Sequence, residues 1–275
     1  MTPRLPYVPI AIIVCFLILA LFGPHLAPFD PMKGTLGAQF LPPFGRDSAG
    51  ALHILGTDQF GRDVLSRLIV GTRVSIVVAA VSILVAGVIG TTVGMVAGFY
   101  GGRVDAFLMR IADITLSLPL FLIAIVLAIV LGPAPMNVVL AVALLLWPRY
   151  ARQLRGETLA LARLEFVDYA RAIRIGTPRI LVRHILPNLV PTLIVLSTWQ
   201  AGYVVILESS LSFLGVGVPP PHPAWGLMVA EGNKYLSTSW WLSVVPGFAI
   251  VALVLSANLL GDWLRDRLDP MLATV

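Results

Sequence analysis

Cysteine is all but missing from this chain of 275 residues. Cys15 stands alone inside the first apolar run, so neither a disulfide framework nor a thiolate metal site can form. Lysine is nearly as rare. Lys33 and Lys234 are the only two, and neither stands in a G-x-x-x-x-G-K-S/T loop, so the chain has no Walker A cradle for ATP phosphates. The histidines His25, His53, His184 and His222 lie far apart in expected loops. No pair has the helical spacing of a metal site, and no metal ligand is assigned. Charge of either sign is scarce: Asp, Glu, Lys and Arg make up 12% of the chain, about half the ~25% usual in soluble domains. The net charge of +5 comes from arginines between apolar runs, without a basic stripe interleaved with aromatics, which argues against a nucleic-acid partner. No nucleophile–base set and no His/carboxylate cluster faces one membrane surface, which argues against a membrane enzyme.

What fills the chain instead is hydrocarbon, 58% of it, in charge-free runs longer than the ~18 residues that mark a membrane span. The expected fold is an all-α integral membrane protein. Residues 5–29 form the first span, expected to be retained because no small-x-small cleavage site follows it. Residues 74–102 form the second. Residues 114–148 carry no charge and are too long for one crossing of ~30 Å, so the Gly-Pro-Ala-Pro at 132–135 is expected to split them into two antiparallel spans. Residues 185–207 and 235–261 complete six. Both termini then share one side, and lysine plus arginine chooses which: 13 on the side of the N-terminus against 6 on the other, so both termini are expected in the cytoplasm. Spans two to four have no ionisable residue at their centres, which leaves a proton relay unsupported.

Three regions follow. Residues 1–73 comprise the first span and an extracytoplasmic segment, residues 74–265 the five-helix core, and residues 266–275 a cytoplasmic tail. Within the outer segment, residues 56–71 are expected to form an amphipathic helix capped by Thr57 or Asp58 and braced by Asp58–Arg62 and Asp63–Arg67 pairs. Trp225, Trp240 and Trp241 beside the prolines at 219–221 are expected to be interfacial anchors. Ser82, Gly87, Gly90, Thr91, Thr92 and Gly94 suit either a path lining or helix packing, and packing is favoured. Ser197, Thr198, Gln200 and Tyr203 make a polar patch near mid-membrane, and with Glu208 they are candidates for a path lining. Glu208 is expected to meet either substrate or an outer-loop arginine.

The most informative stretch is the basic loop at 149–187, with eight arginines against Glu157, Glu165 and Asp168. Phe166, Tyr169, Ala170 and Ile173 recur at helical spacing and are expected to share one face, with Arg163, Val167, Arg171 and Arg174 on another. Gly176 is expected to end this helix. Thr177 and Pro178 then open a second short one that stops before Pro187. On periodicity alone, a docking element and a basic helix lying flat on anionic lipid both fit. Lipid binding needs no corner, which favours docking.

This loop resembles the EAA loop of ABC-importer permeases, an E-A-A followed by a glycine and then I-x-L-P. Asp168, Tyr169 and Ala170 stand where E-A-A stands, and residues 184–188 (HILPN) resemble the ending. Arg174 occupies the usual glycine position, two residues before Gly176. Residues 56–75, 101–105 with Asp113, 208–225 and 261–270 are similar to further blocks of the dipeptide, oligopeptide and nickel importer permeases. The resemblance implies a type I ABC-importer permease, specifically the second, C-type subunit, in the bacterial cytoplasmic membrane. It implies a partner permease, two cytosolic ATPase subunits that bind ATP and Mg²⁺, and an extracytoplasmic substrate-binding protein, with no cofactor held by this chain itself and lipid around it. It further implies that Glu165, Phe166, Asp168, Tyr169, Ala170, Ile173, Gly176, Thr177 and Pro187 form the element that docks on an ATPase. Nickel or another small solute remains an alternative substrate. A self-contained channel or secondary transporter is the alternative class, disfavoured by the lack of inverted repeats and of charge within the spans.

Overall fold

The computed structural model describes residues 5–132 and 134–268. Arg4, Pro133 and the tail beyond Leu268 lie outside the described residues. The chain is helical almost throughout: α1 (Tyr7–Leu26), α2 (Val64–Tyr100), α3 (Gly102–Ser117), α4 (Leu120–Leu131), α5 (Pro135–Leu161), α6 (Glu165–Ala172), α7 (Thr177–Ile180), α8 (Leu186–Phe213), α9 (Trp225–Asn233) and α10 (Trp241–Leu268). A two-residue hairpin, β1 (Gly45–Arg46) with β2 (Leu52–His53), lies in the segment between α1 and α2.

Among the described residues, four helices are long and apolar enough to cross a membrane: Tyr7–Leu26, Val64–Tyr100, Thr177–Phe213 and Trp241–Leu268. A fifth crossing results if α3 and α4, which meet at 86°, count as one. The break expected at residues 132–135 is present, between α4 and α5, but the segment before it is not one straight span. The chain also breaks at Leu118, extended at ψ 133° because Pro119 follows it, and this leaves α4 only 12 residues, about 18 Å, short of ~30 Å of hydrocarbon. The 27 residues of α5 reach about 40 Å, but its second half holds Arg149, Arg152, Arg155 and Glu157. So the basic segment is not a loop from residue 149. Its first 13 residues continue a helix that begins at Pro135.

Helices α2 and α5 run parallel and touch backbone to backbone. Gly90, Gly94 and Gly98 come one per turn along α2, facing Trp147, Ala151 and Arg155 on α5. A β-carbon on Gly94 would lie 2.7 Å from the Ala151 carbonyl oxygen and 3.1 Å from the Arg155 amide nitrogen. Tyr150 and Ala151 are buried in the same seam. Below it, the Arg155 guanidinium grips both oxygens of Asp105 on α3, tying the third helix to the pair. The packing reading thus holds for Gly90 and Gly94, while Gly87 has room, its nearest neighbour being a Tyr150 ring carbon at 3.8 Å. Ser82 and Thr91 are buried, and Thr92 is satisfied by its own helix through the Val88 carbonyl.

The outer segment folds as a cap on α2, and the expected helix over 56–71 is corrected. Gly56 and Gly61 have φ of 76° and 74°, which a right-handed helix cannot contain, so residues 56–63 turn and α2 starts only at Val64. Its N-cap is Asp63, whose carboxylate accepts from the Ser66 amide at 2.8 Å and from His53 Nδ1 at 2.9 Å. The Asp58–Arg62 pair exists at 2.6 Å, but Asp63 does not pair with Arg67. Buried Arg67 instead meets Asp58 at 3.5 Å and Glu231 of α9 at 3.0 Å, so carboxylates from two elements neutralise it. Trp225 and Trp241 are core residues rather than interfacial anchors, since Trp225 is fully buried with its indole N–H on the Leu68 carbonyl at 3.0 Å. Trp240 alone of the three stays exposed.

The glycine seam makes a testable contrast. Gly94→Ala forces α5 off α2 and should destabilise by about 1–3 kcal/mol, the range for overpacking. Gly87→Ala should be neutral. Thermal unfolding of both variants in detergent distinguishes them.

Candidate functional site

The corner built by α6, α7 and the start of α8 sits against the ends of α2 and α5. Val167, Ala170, Ile180, Leu181, Ile185 and Leu189 bury themselves with Met95 and Leu154. The inward stripe of α6 is thus Val167 and Ala170. Ala170 was expected to share a face with Phe166, Tyr169 and Ile173, and that is corrected. Ala170 lies inside its own chain because residues three apart on so short a helix fill one narrow groove. The outward stripe is Phe166, Tyr169 and Ile173, with Tyr169 70% and Ile173 72% exposed. Val167 is likewise separated from Arg163, Arg171 and Arg174, all of which face solvent. Glu165 and Asp168 are exposed in the first turn of α6, where the helix dipole favours anions, and Asp168 reaches Arg171 at 3.3 Å.

The corner itself is a Schellman turn. The Ile175 amide donates to the Ala170 carbonyl at 3.0 Å and the Arg174 amide to the Arg171 carbonyl at 2.9 Å, with Ile175 packed beside Ala170. Arg174 takes the left-handed position, φ 58°. An L-residue there costs about 1–2 kcal/mol. Gly176, expected to end the helix, has φ −63° and open space around it, so neither conformation nor crowding requires glycine. It is also the residue preceding α7, which places Thr177 inside the helix rather than at its cap.

Pro187 was expected to end the second short helix, and it does not. A π-helical turn, Leu181–Ile185, carries α7 into α8, and the Leu186 amide bonds to the Leu181 carbonyl five residues back. The wider turn accommodates a proline that has no N–H to give. The corner therefore runs into a 37-residue helix, Thr177–Phe213.

The polar candidates inside α8 do not converge. Ser197 accepts from the Tyr150 hydroxyl at 3.3 Å, Thr198 bonds back to the Ile194 carbonyl at 2.9 Å, and Gln200 is half-buried. Glu208 is buried against α2, accepting from Ser75 and Ser212 at 2.8 Å each. Among the described residues no cation lies within ion-pair distance of it, so the expected outer-loop arginine is replaced by hydroxyl donors. Tyr203 turns the other way, towards α5, where Arg149 donates to its hydroxyl at 3.1 Å and lies 4.3 Å from its ring centre. Sequence reasoning placed Arg149 at the start of a loop and missed it as a site residue. Its signal was the continued helical register past Pro148.

Residues 90–274 match the family model for binding-protein-dependent transport system inner membrane components. The chain is 39% identical over 259 residues to a probable D,D-dipeptide transport system permease protein of Escherichia coli, covering 94% of this chain and 85% of that one. It is 38% identical over 253 residues to a di/tripeptide transport system permease protein of Pseudomonas aeruginosa, covering 92% and 84%. It is also 38% identical over 262 residues to a glutathione transport system permease protein of Pectobacterium atrosepticum, covering 94% and 85%. Among solved structures, a chain of the inward-facing MetNI methionine ABC transporter superposes with a TM-score of 0.58 at 17% identity, covering 74% of this chain and 96% of that one, a likeness of fold.

Arg174→Gly should relieve the left-handed strain, and protection of the Ile175 amide from hydrogen exchange should rise about fivefold for ~1 kcal/mol. Gly176→Ala should leave exchange at the corner unchanged.

Proposed function

Since this chain belongs to the family of binding-protein-dependent transport system inner membrane components, as a multi-pass permease subunit of an ABC importer for peptides, we propose how it is arranged and driven. It crosses the bacterial cytoplasmic membrane six times, through α1, α2, the bent pair α3–α4, α5, the α7–α8 helix and α10, with both termini in the cytoplasm. The arginine-rich half of α5 and the corner then lie on the cytoplasmic side, as the positive-inside rule requires. A second, different permease completes the path, an extracytoplasmic binding protein delivers the substrate, and two cytosolic ATPases hold ATP and Mg²⁺. The named relatives carry D,D-dipeptides, di- and tripeptides, and glutathione, which makes short peptides the substrate class.

One observation carries the coupling role: Phe166, Tyr169 and Ile173 project outward from a corner whose inner side is locked to α2, α5 and α8. Three large apolar side chains on an exposed turn are an interface without its partner. Glu165 and Asp168 on the exposed side disfavour the alternative of a helix lying on anionic headgroups. The anchored side explains how a stroke travels. When the ATPases close, α6 moves as one piece with the cytoplasmic ends of three helices, and the bundle rocks between inward- and outward-open states.

Tyr169→Ala should weaken retention of the ATPase by roughly tenfold, the scale of an aromatic hot spot, measured by co-purification from membranes. Asp168→Lys should abolish most ATP-driven uptake while membrane insertion stays normal. Full uptake by both variants would sink the docking assignment.

A further inference from the structure

Three arginines project from successive turns of α5. Arg155 holds Asp105 and Arg152 holds Asp113, both on α3. Arg149, the first of the three along α5, has no carboxylate within ion-pair distance among the described residues. It stands 14 residues along α5 from Pro135, about 21 Å of helix, within the α5 crossing proposed above and on the approach to its cytoplasmic end. Tyr203, which orients it, stands 10 residues from the Phe213 end of α8, about 15 Å of helix. Arg149 is nonetheless exposed on the surface of the subunit. An unpaired arginine within that proposed crossing is costly against lipid, so it faces water or a counter-charge.

What surrounds it is a built recess. Thr115, Val142, Leu145, Arg149 and Tyr203 line a cleft of about 80 Å³ between α3, α5 and α8. The Tyr203 ring lies under the guanidinium and its hydroxyl oxygen accepts one N–H, which fixes the fork while leaving the other donors and the phenol proton free. A planar fork beside one hydroxyl donor matches a carboxylate. A terminal carboxylate is small enough to enter this recess.

We propose that Arg149, oriented by Tyr203, is a way-station in the translocation path that binds the free C-terminal carboxylate of a passing peptide. This rests on the peptide-importer reading above and adds the chemical group the path recognises. Arg149 makes the contact, and Tyr203 both positions it and supplies a second donor. A carboxylate on the partner permease is the competing occupant. That would make Arg149 an interface charge, indifferent to what the peptide carries.

The test uses the whole complex in proteoliposomes, with both permeases, ATPases and binding protein. Uptake is followed for one dipeptide as its free acid and as its C-terminal amide, each at a concentration that saturates the binding protein. The wild type should move the acid about tenfold faster, the scale of a charged hydrogen bond. Arg149→Gln should slow the acid about tenfold and the amide far less, Arg149→Lys should restore most of the acid rate, and Tyr203→Phe should cost roughly threefold for the acid alone. Equal slowing of acid and amide by Arg149→Gln, or no slowing, overturns the proposal. If that variant fails to assemble, the wild-type acid-to-amide ratio and Tyr203→Phe decide, and a ratio near one overturns it. A wild-type complex that moves neither peptide defeats the importer reading itself, and the proposal with it.

Discussion

The structure hangs on the backbone contact between α2 and α5. In lipid, hydrocarbon surrounding a helix is as apolar as a neighbouring helix, so burial alone does not hold two spans together. Close approach does, through dispersion between many atoms at short range. Gly90, Gly94 and Gly98 allow it by removing every side chain that would stand between the backbones. Once the two helices lie parallel in that register, the rest follows from position. Arg155 and Arg152 face the carboxylates of α3, Arg149 faces Tyr203 of α8, and Met95 and Leu154 form the floor on which the corner of α6 and α7 sits.

That floor anchors the corner. Val167, Ala170 and Ile185 are buried against it, while Phe166, Tyr169 and Ile173 remain outside, so an eight-residue helix has one anchored side and one free side. The π-helical turn around Pro187 matters for the same reason. It makes the corner continuous with α8, so that under the proposed coupling a displacement at α6 would have a continuous helix to travel along. Arg174 in the left-handed position shows what such a device tolerates. Two Schellman hydrogen bonds and the Ile175–Ala170 contact hold the turn although the residue opposes it.

Local rules failed where packing outweighed them. The step before Pro187 is normally a stop, but Ile185 and Leu189 are both fully buried, and their burial favours continuing the helix over ending it. Asp63 and Arg67 have the spacing of a helical ion pair, yet Asp63 is recruited as a cap and Arg67 by Glu231, which is 164 residues away in sequence. Trp225 reads as an interfacial aromatic and turns out to fill the space between α1 and α2, where its ring meets Phe16. In each case the deciding partner comes from a distant part of the chain, and no local window contains it.

The sequence by itself determined that the chain is a helical membrane protein without a Walker A motif, that it belongs with the importer permeases, and that residues 164–188 carry its most distinctive motif. Charge-free length, the distribution of arginine and lysine, and ordered motifs carry that information, and each is a property of the linear chain. The tertiary structure alone decided which face of α6 is free, that Arg149 lies within a helix against Tyr203 rather than at the edge of a loop, and that Glu208 meets serines instead of an arginine. Those outcomes depend on the rotation of each helix about its axis, and in a membrane that rotation is set by which neighbour's backbone can come close. Periodicity assigns residues to faces, but only the packed bundle determines what each face meets.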